Sequence, residues 1–147
     1  MAGAQTEIDI HWSRDPDELR GAIAVRTEVF CVEQGVPVEE EIDGRDEEAA
    51  HVVAVDDGHV VATLRLLIDG EQAKVGRVAV LRDWRRRKVA RRMLEMAIEG
   101  ARASGCTRAS LASQLYAAEL YEGAGFAVDS EVFEEAGMPH VWMRMKL

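Results

Sequence analysis

The chain has 147 residues, of which 48% are apolar and 31% charged, and it carries a net charge of −9. That length suits one domain with a substantial core, and no apolar run nears the roughly 20 residues needed to span a bilayer. The acidic balance argues against general nucleic-acid binding, because its field would repel phosphate backbones.

The first residues, MAGAQTEIDIHW, carry neither the basic start nor the apolar stretch of a secretory signal. Two cysteines, Cys31 and Cys106, give no metal-ligand spacing and no disulfide framework. The four histidines, His11, His51, His59 and His140, do not cluster, so no metal site is expected. A reduced, cytoplasmic protein follows as the expectation. Without repeats, linkers or low-complexity tracts, residues 1–147 are expected to form a single domain.

Residues 8–12 can make a first strand. Asp15-Pro16-Asp17-Glu18 then opens a helix, with Asp15 as cap and Pro16 at the first helical position. Leu19, Ala22, Ile23, Arg26, Val29 and Phe30 continue at helical spacing. Arg26 is the one charge on that apolar stripe. Residues 32–48 read as irregular and acid-rich. Strands follow at 51–55 and 59–68, joined by the hairpin signal Asp57-Gly58. A third strand covers 74–80.

A helix over 87–103 is predicted to bury Val89, Ala90, Met93, Leu94, Ala97, Ile98 and Ala101, with Ser104-Gly105 as its stop. Residues 108–112 read as a strand, 115–122 as a helix, and 126–132 and 141–145 as closing strands. The order implies an α/β protein: a mixed sheet with helices on both faces.

Charge is distributed unevenly along this order. Residues 82–92 hold seven basic side chains and one acid, about +6, leaving about −15 for the rest. They sit where the strand ending at Val80 passes into a helix, a place where free N–H groups and the helix dipole favour anions. Arginines in a first helical turn oppose that dipole unless an anion offsets them. A phosphate-binding junction is the expectation.

The loop Arg85-Arg86-Arg87-Lys88-Val89-Ala90, the strand before it and Tyr121-Glu-Gly-Ala-Gly-Phe126 resemble the GNAT superfamily of acetyl-CoA-dependent N-acetyltransferases. The ElaA-like branch is similar from about Val25 onward, through Val29-Phe-x-Val-Glu-Gln34, Glu41-x-Asp-Gly44, Gly76-Arg-Val78 and Pro139-His140. The resemblance implies a GNAT fold with a mostly antiparallel sheet of six or seven strands. It implies that backbone amides from Arg85 to Arg91 grip the diphosphate of acetyl-CoA, with Lys88 where the family usually has glycine. Glycine is useful there for close approach or for positive φ. The strand Val78-Ala79-Val80 would pair with the pantetheine arm in the manner of an added strand, and Gln114 would contact the same molecule. Tyr121 would be the general acid that protonates the departing thiolate.

The acceptor site is expected in the acid-rich stretch, where residues 39–48 hold seven acids and one arginine. Arg26 and Arg65 lie in apolar periodic segments and need partners, and Glu41, Asp43 and Asp46 can supply them. A partly buried network should result, leaving surplus negative charge for a cationic primary amine. Arg26, Glu33 and Asp43 are assigned to acceptor binding. Arg26, Phe30, Glu41, Asp43, Asp46 and Arg65 also resemble the N-terminal pattern of acyl-homoserine-lactone synthases, which nominates Glu41 as catalytic base. Glu33, His51 and His140 are other candidates. Alternatives to an N-acetyltransferase are an acyl-homoserine-lactone-type acyltransferase and a catalytically silent acyl-CoA-binding module. The chain could act alone or as a homodimer.

Overall fold

The computed structural model describes residues 8–147. Its strands are β1 (Asp9–Trp12), β2 (Ala50–Asp56), β3 (His59–Asp69), β4 (Gln72–Val80), β5 (Arg108–Gln114), β6 (Ala127–Val128), β7 (Phe133–Glu135) and β8 (Met138–Lys146). All eight join one sheet in the order β1-β2-β3-β4-β5-β8-β6, with β7 also on β8. Every pairing is antiparallel except β4 with β5.

The strand count exceeds the expected six or seven because a further strand, β7, forms beyond the one expected at 126–132, of which only the short β6 forms. β6 pairs with Arg144 and Met143, and β7 pairs further along β8 with His140, Pro139 and Met138. Between them the Trp142 amide donates to the Ser130 hydroxyl at 2.9 Å, and the Asp129 amide donates to the Trp142 carbonyl at 2.8 Å. A side-chain oxygen replaces a main-chain partner, so the edge of β8 stays bonded while the ladder is interrupted.

Local signals elsewhere act as read. The Asp15 carboxylate accepts from the Glu18 amide at 2.9 Å and starts α1 (Pro16–Arg26). Asp57 and Gly58 take φ of 48° and 79°, the paired positive values of a tight hairpin turn. After α1 the helix widens into a π-type segment, Thr27–Glu33. At that transition the Thr27 hydroxyl donates to the Ile23 carbonyl at 2.9 Å, competing with the main-chain ladder. The acid-rich stretch is less irregular than expected, because a short helix α2 (Val38–Glu41) forms within it.

Helix α3 (Val89–Ala103) buries Val89, Met93, Leu94, Ala97, Ile98 and Ala101. It crosses between parallel β4 and β5. A 3-10 turn, Leu115–Ala117, then leads into α4 (Ala118–Ala124). Seven consecutive residues of β3, 61–67, are buried, which for a strand of period two requires cover on both faces. α1 and α3 both pack on β3. β5 instead alternates buried and half-buried residues, so one of its faces is open. The site lies where two-sided cover gives way to one-sided cover.

Candidate functional site

β4 and β5 are bonded only between Gln72–Lys74 and Arg108–Ser110, after which they separate. β4 also bulges against β3 between the Gly76 and Ala79 pairings, where Arg77 takes a φ of 53°. The divergence opens a cavity of about 810 Å³ between the strands. Val78, Ala79 and Val80 of β4, Gln114 of β5 and Tyr121 of α4 all line it. A second cavity of about 590 Å³ lies over the start of α3. It adjoins the first through Val80, Arg85, Ala90 and Leu120, which line both.

The floor of the smaller cavity is the turn into α3. Arg86 and Lys88 both take left-handed backbone, with φ of 61° and 60°. Such residues cost about 1 kcal/mol each unless glycine. Lys88 therefore occupies a conformation in which glycine would be unstrained. The first main-chain bond at this end of α3 runs from the Arg92 amide to the Lys88 carbonyl at 3.1 Å. No side chain caps the helix and no acid lies in its first turn. Among the described residues, the amides of Arg86 to Arg91 donate to no protein acceptor. Unused N–H groups at the positive end of a helix are donors of the kind that suit an anion. Ala90, expected in the core, is half-exposed and faces this groove.

The basic side chains here differ in what they do. Arg85 donates from Nε to the Val80 carbonyl at 2.9 Å and from Nη2 to both Glu33 oxygens at 2.9 and 2.8 Å. It braces the groove wall to the π-type segment, and Glu33 is engaged in that brace. The Arg87 guanidinium lies 4.9 Å over the Trp84 ring, and Arg91 pairs with Glu95 at 3.1 Å.

Tyr121 is 8% exposed and packs edge-on against Phe126, with ring centroids 6.3 Å apart. Burial pushes its hydroxyl above the ordinary phenol range, and nearby Tyr116 adds to this. A group so placed holds its proton at any physiological pH. Gln114 donates from Nε2 to Gln34 Oε1 at 2.8 Å, while its own Oε1 is buried without a partner. That orphan oxygen belongs to a residue of the large cavity's wall and suits a ligand N–H.

The expected arginine–carboxylate network forms and is larger than anticipated. Arg26, with no exposed surface, donates to Glu41 at 2.8 and 3.1 Å and to Asp46 at 2.7 and 3.2 Å. Arg65 donates to Asp43 through two bonds of 2.8 Å and to Asp46 at 3.2 Å. Arg77 is the member that the sequence did not disclose. It reaches the Glu41 carbonyl at 3.1 and 3.2 Å, the Glu41 carboxylate at 3.1 Å and Asp43 at 3.3 Å. Hydrogen bonds from Arg65 hold Asp43 well below the usual carboxylate range. Burial alone would raise Asp46, but hydrogen bonds from Arg26 and Arg65 turn its net shift downward.

Three guanidinia therefore face three carboxylates, and the network is electrically closed. The network itself therefore carries no surplus negative charge, because Arg77 supplies the balancing cation; what surplus the stretch holds lies on its other acids, of which Glu40 lines the cavity. Glu41 and Asp43 line the large cavity, yet both are bound to arginines. Arg26 is sealed beneath them and orients the loop rather than touching anything in the cavity. His51 donates from Nε2 to the Asp46 carbonyl at 2.9 Å, which fixes it as Nε2–H, and it lies outside the cavity wall. His140 does line the cavity, as does Glu135, which the sequence did not single out. Glu135 lay hidden because the β7–β8 hairpin turns on Ala136-Gly137, a pair with little turn signature of its own.

The chain matches the family model described as an acetyltransferase (GNAT) domain over residues 14–147. It is 33% identical over 132 residues to YjcF of Bacillus subtilis, named an uncharacterized N-acetyltransferase, covering 89% of this chain and 94% of that one. A solved acyl-CoA N-acyltransferase from Pseudomonas aeruginosa superposes with a TM-score of 0.84 at 32% identity, over 95% of this chain and 99% of that one. Escherichia coli ElaA superposes with the same score at 27% identity, again over 95% and 99%. The diverging β4 and β5, the open amide turn beneath them and these likenesses agree: the chain belongs to the GNAT acetyltransferase family.

Proposed function

We propose that the protein transfers an acetyl group from acetyl-CoA directly to a primary amine of a small molecule or peptide in the cytoplasm. The observation that carries the proposal is the groove itself. Unused amides of Arg86 to Arg91 suit a diphosphate at one end. The unpaired length of β4 suits a pantetheine arm along the middle, and Tyr121 lies in the cavity wall beyond.

In the proposed reaction the amine nitrogen attacks the thioester carbonyl carbon. The C–N bond forms, the C–S bond breaks, and the sulfur takes the proton of the Tyr121 hydroxyl. Burial keeps that proton in place until a thiolate develops. Glu41 suits a structural part better than that of base, because its carboxylate is held by Arg26 and Arg77. Two other acids of the cavity wall, Glu40 and Glu135, have no arginine or lysine within 4 Å among the described residues. They give the acceptor end a local preference for a cationic amine.

The test is thiol release from acetyl-CoA across a broad panel of primary amines, run beside calorimetry of acetyl-CoA binding. Turnover with at least one amine class is expected. Tight binding with no thiol release from any of them would leave a silent binding module.

A further inference from the structure

We propose, on the basis of the acetyl-transfer reading above, that His140 is the general base that deprotonates the acceptor amine, with Glu135 as its charge partner. His140 is 5% exposed and lines the cavity that also holds Tyr121. Its Nδ1 lies 2.8 Å from the Met138 carbonyl oxygen. A carbonyl only accepts, so Nδ1 carries the ring hydrogen and Nε2 of the neutral ring is the lone-pair nitrogen. Nε2 lies 3.7 Å from Glu135 Oε2, a carboxylate that cannot donate to it but can stabilise the imidazolium.

The ring is also fixed in plane. It stacks on Phe133 at 5.9 Å, Phe133 stacks on Trp142 at 5.8 Å, and Lys74 Nζ sits 5.3 Å from the Trp142 centroid. Phe133 and His140 are directly opposed in the β7–β8 ladder, as are Glu135 and Met138. One hairpin thus supplies the base, its carboxylate and the carbonyl that sets its tautomer. Of the groups around His140, Glu135 on β7 is charged, Gln114 opposite on β5 is neutral, and Lys74 lies beyond the two aromatic rings.

The protons balance as follows. Nε2 takes one proton from the ammonium, and the imidazolium passes it to solvent beside half-exposed Glu135. The freed lone pair attacks the thioester. As the tetrahedral adduct collapses, the nitrogen loses a second proton, which replaces the one that Tyr121 gives to sulfur. One proton leaves per turnover, as the overall reaction requires.

The experiment is the pH dependence of kcat/KM for the best amine, in wild type, His140→Gln and Glu135→Gln, with acetyl-CoA affinity and thermal melting measured alongside. Wild type should lose activity on the acid side, where the ring that must accept the proton already carries one. His140→Gln should lower kcat about 100-fold near neutrality, with the loss recovering toward the amine's own pKa near 10. Acetyl-CoA affinity should stay within about twofold, because His140 lies away from the amide turn. Glu135→Gln, at an exposed rim where folding is not at risk, should lower kcat about tenfold, the lesser effect of a residue acting through the base. Identical pH profiles for wild type and His140→Gln overturn the proposal while leaving acetyl transfer intact. Should His140→Gln fail to fold, an unchanged kcat in Glu135→Gln overturns it instead. A wild type that binds acetyl-CoA but acetylates nothing overturns both readings.

Discussion

Arginine is used in two opposite ways within this molecule. In the strap of residues 41–46, Arg26, Arg65 and Arg77 are each closed against carboxylates, and the charges sum to zero. At the start of α3, Arg86, Arg87 and Lys88 make no ion pair among the described residues, while the backbone beneath them leaves its amides unused. The first arrangement costs desolvation and returns shape: it fixes a loop that has little apolar surface of its own. The second leaves charge and donors uncompensated, which is tolerable at a surface and useful only when an anion arrives. A count of charges along the chain cannot separate these cases, whereas the partner of each guanidinium does.

The sharpest way to break the comparison is to open the closed region. Arg26→Leu leaves Glu41, 3% exposed, and half-buried Asp46 without their main cation. Breaking a buried pair from one side costs about 3–5 kcal/mol, which for a chain of this size lowers the melting temperature by about 10 °C. A change under about 2 °C would mean that the strap contributes little. The same region sets acid sensitivity. Asp43 and Asp46 have folded pKa values below the unfolded one, so their contribution is complete above about pH 4 and is lost as pH falls from there. Melting temperatures taken between pH 7 and pH 3 should fall steeply only below that point.

Tyr121 tests the open region where the chemistry is proposed. Tyr121→Phe removes the hydroxyl and keeps the ring on Phe126. Turnover should fall about 100-fold with acetyl-CoA affinity unchanged within about twofold, the pattern of a lost general acid. A turnover like that of the wild type would take the role from this residue. The raised pKa has a separate consequence at alkaline pH. The unfolded phenol ionises near 10 while the buried one stays protonated, so this residue's stabilisation is intact below about pH 10 and is lost above it.

Features set by a few neighbouring residues were legible in the sequence. Asp15-Pro16 starts α1, Asp57-Gly58 turns the β2–β3 hairpin, and the apolar stripe of α3 is buried as spaced except at Ala90. What was not legible depends on partners far along the chain. Arg85 and Glu33 are 52 residues apart, and Arg77 and Glu41 are 36 apart. Arg77 hid in a strand pattern because its positive φ at the β4 bulge turns it toward the strap, against the alternation of a regular strand. Residues 126–132 read as one strand because Ser130, which interrupts the ladder, leaves no hydrophobic signature. The amide turn was recognisable from family likeness and charge, but its freedom from protein acceptors is a property of three-dimensional placement alone.

The smallest effect concerns Lys88, where the two uses of a basic residue meet in one position. Its left-handed φ of 60° is a strained state for lysine and a relaxed one for glycine. Lys88→Gly should therefore stabilise the protein by about 1 kcal/mol, offset in part by the greater freedom of glycine in the unfolded chain. Lys88→Ala removes the charge but keeps the strain, so it should show no such gain. Both variants should bind acetyl-CoA a few-fold more weakly, with a shallower dependence on salt, if the lysine charge assists the diphosphate. Paired melting and binding measurements separate the two contributions. Equal stabilities for Lys88→Gly and Lys88→Ala would show that the turn is unstrained, and affinities equal to wild type would show that the amides alone hold the anion.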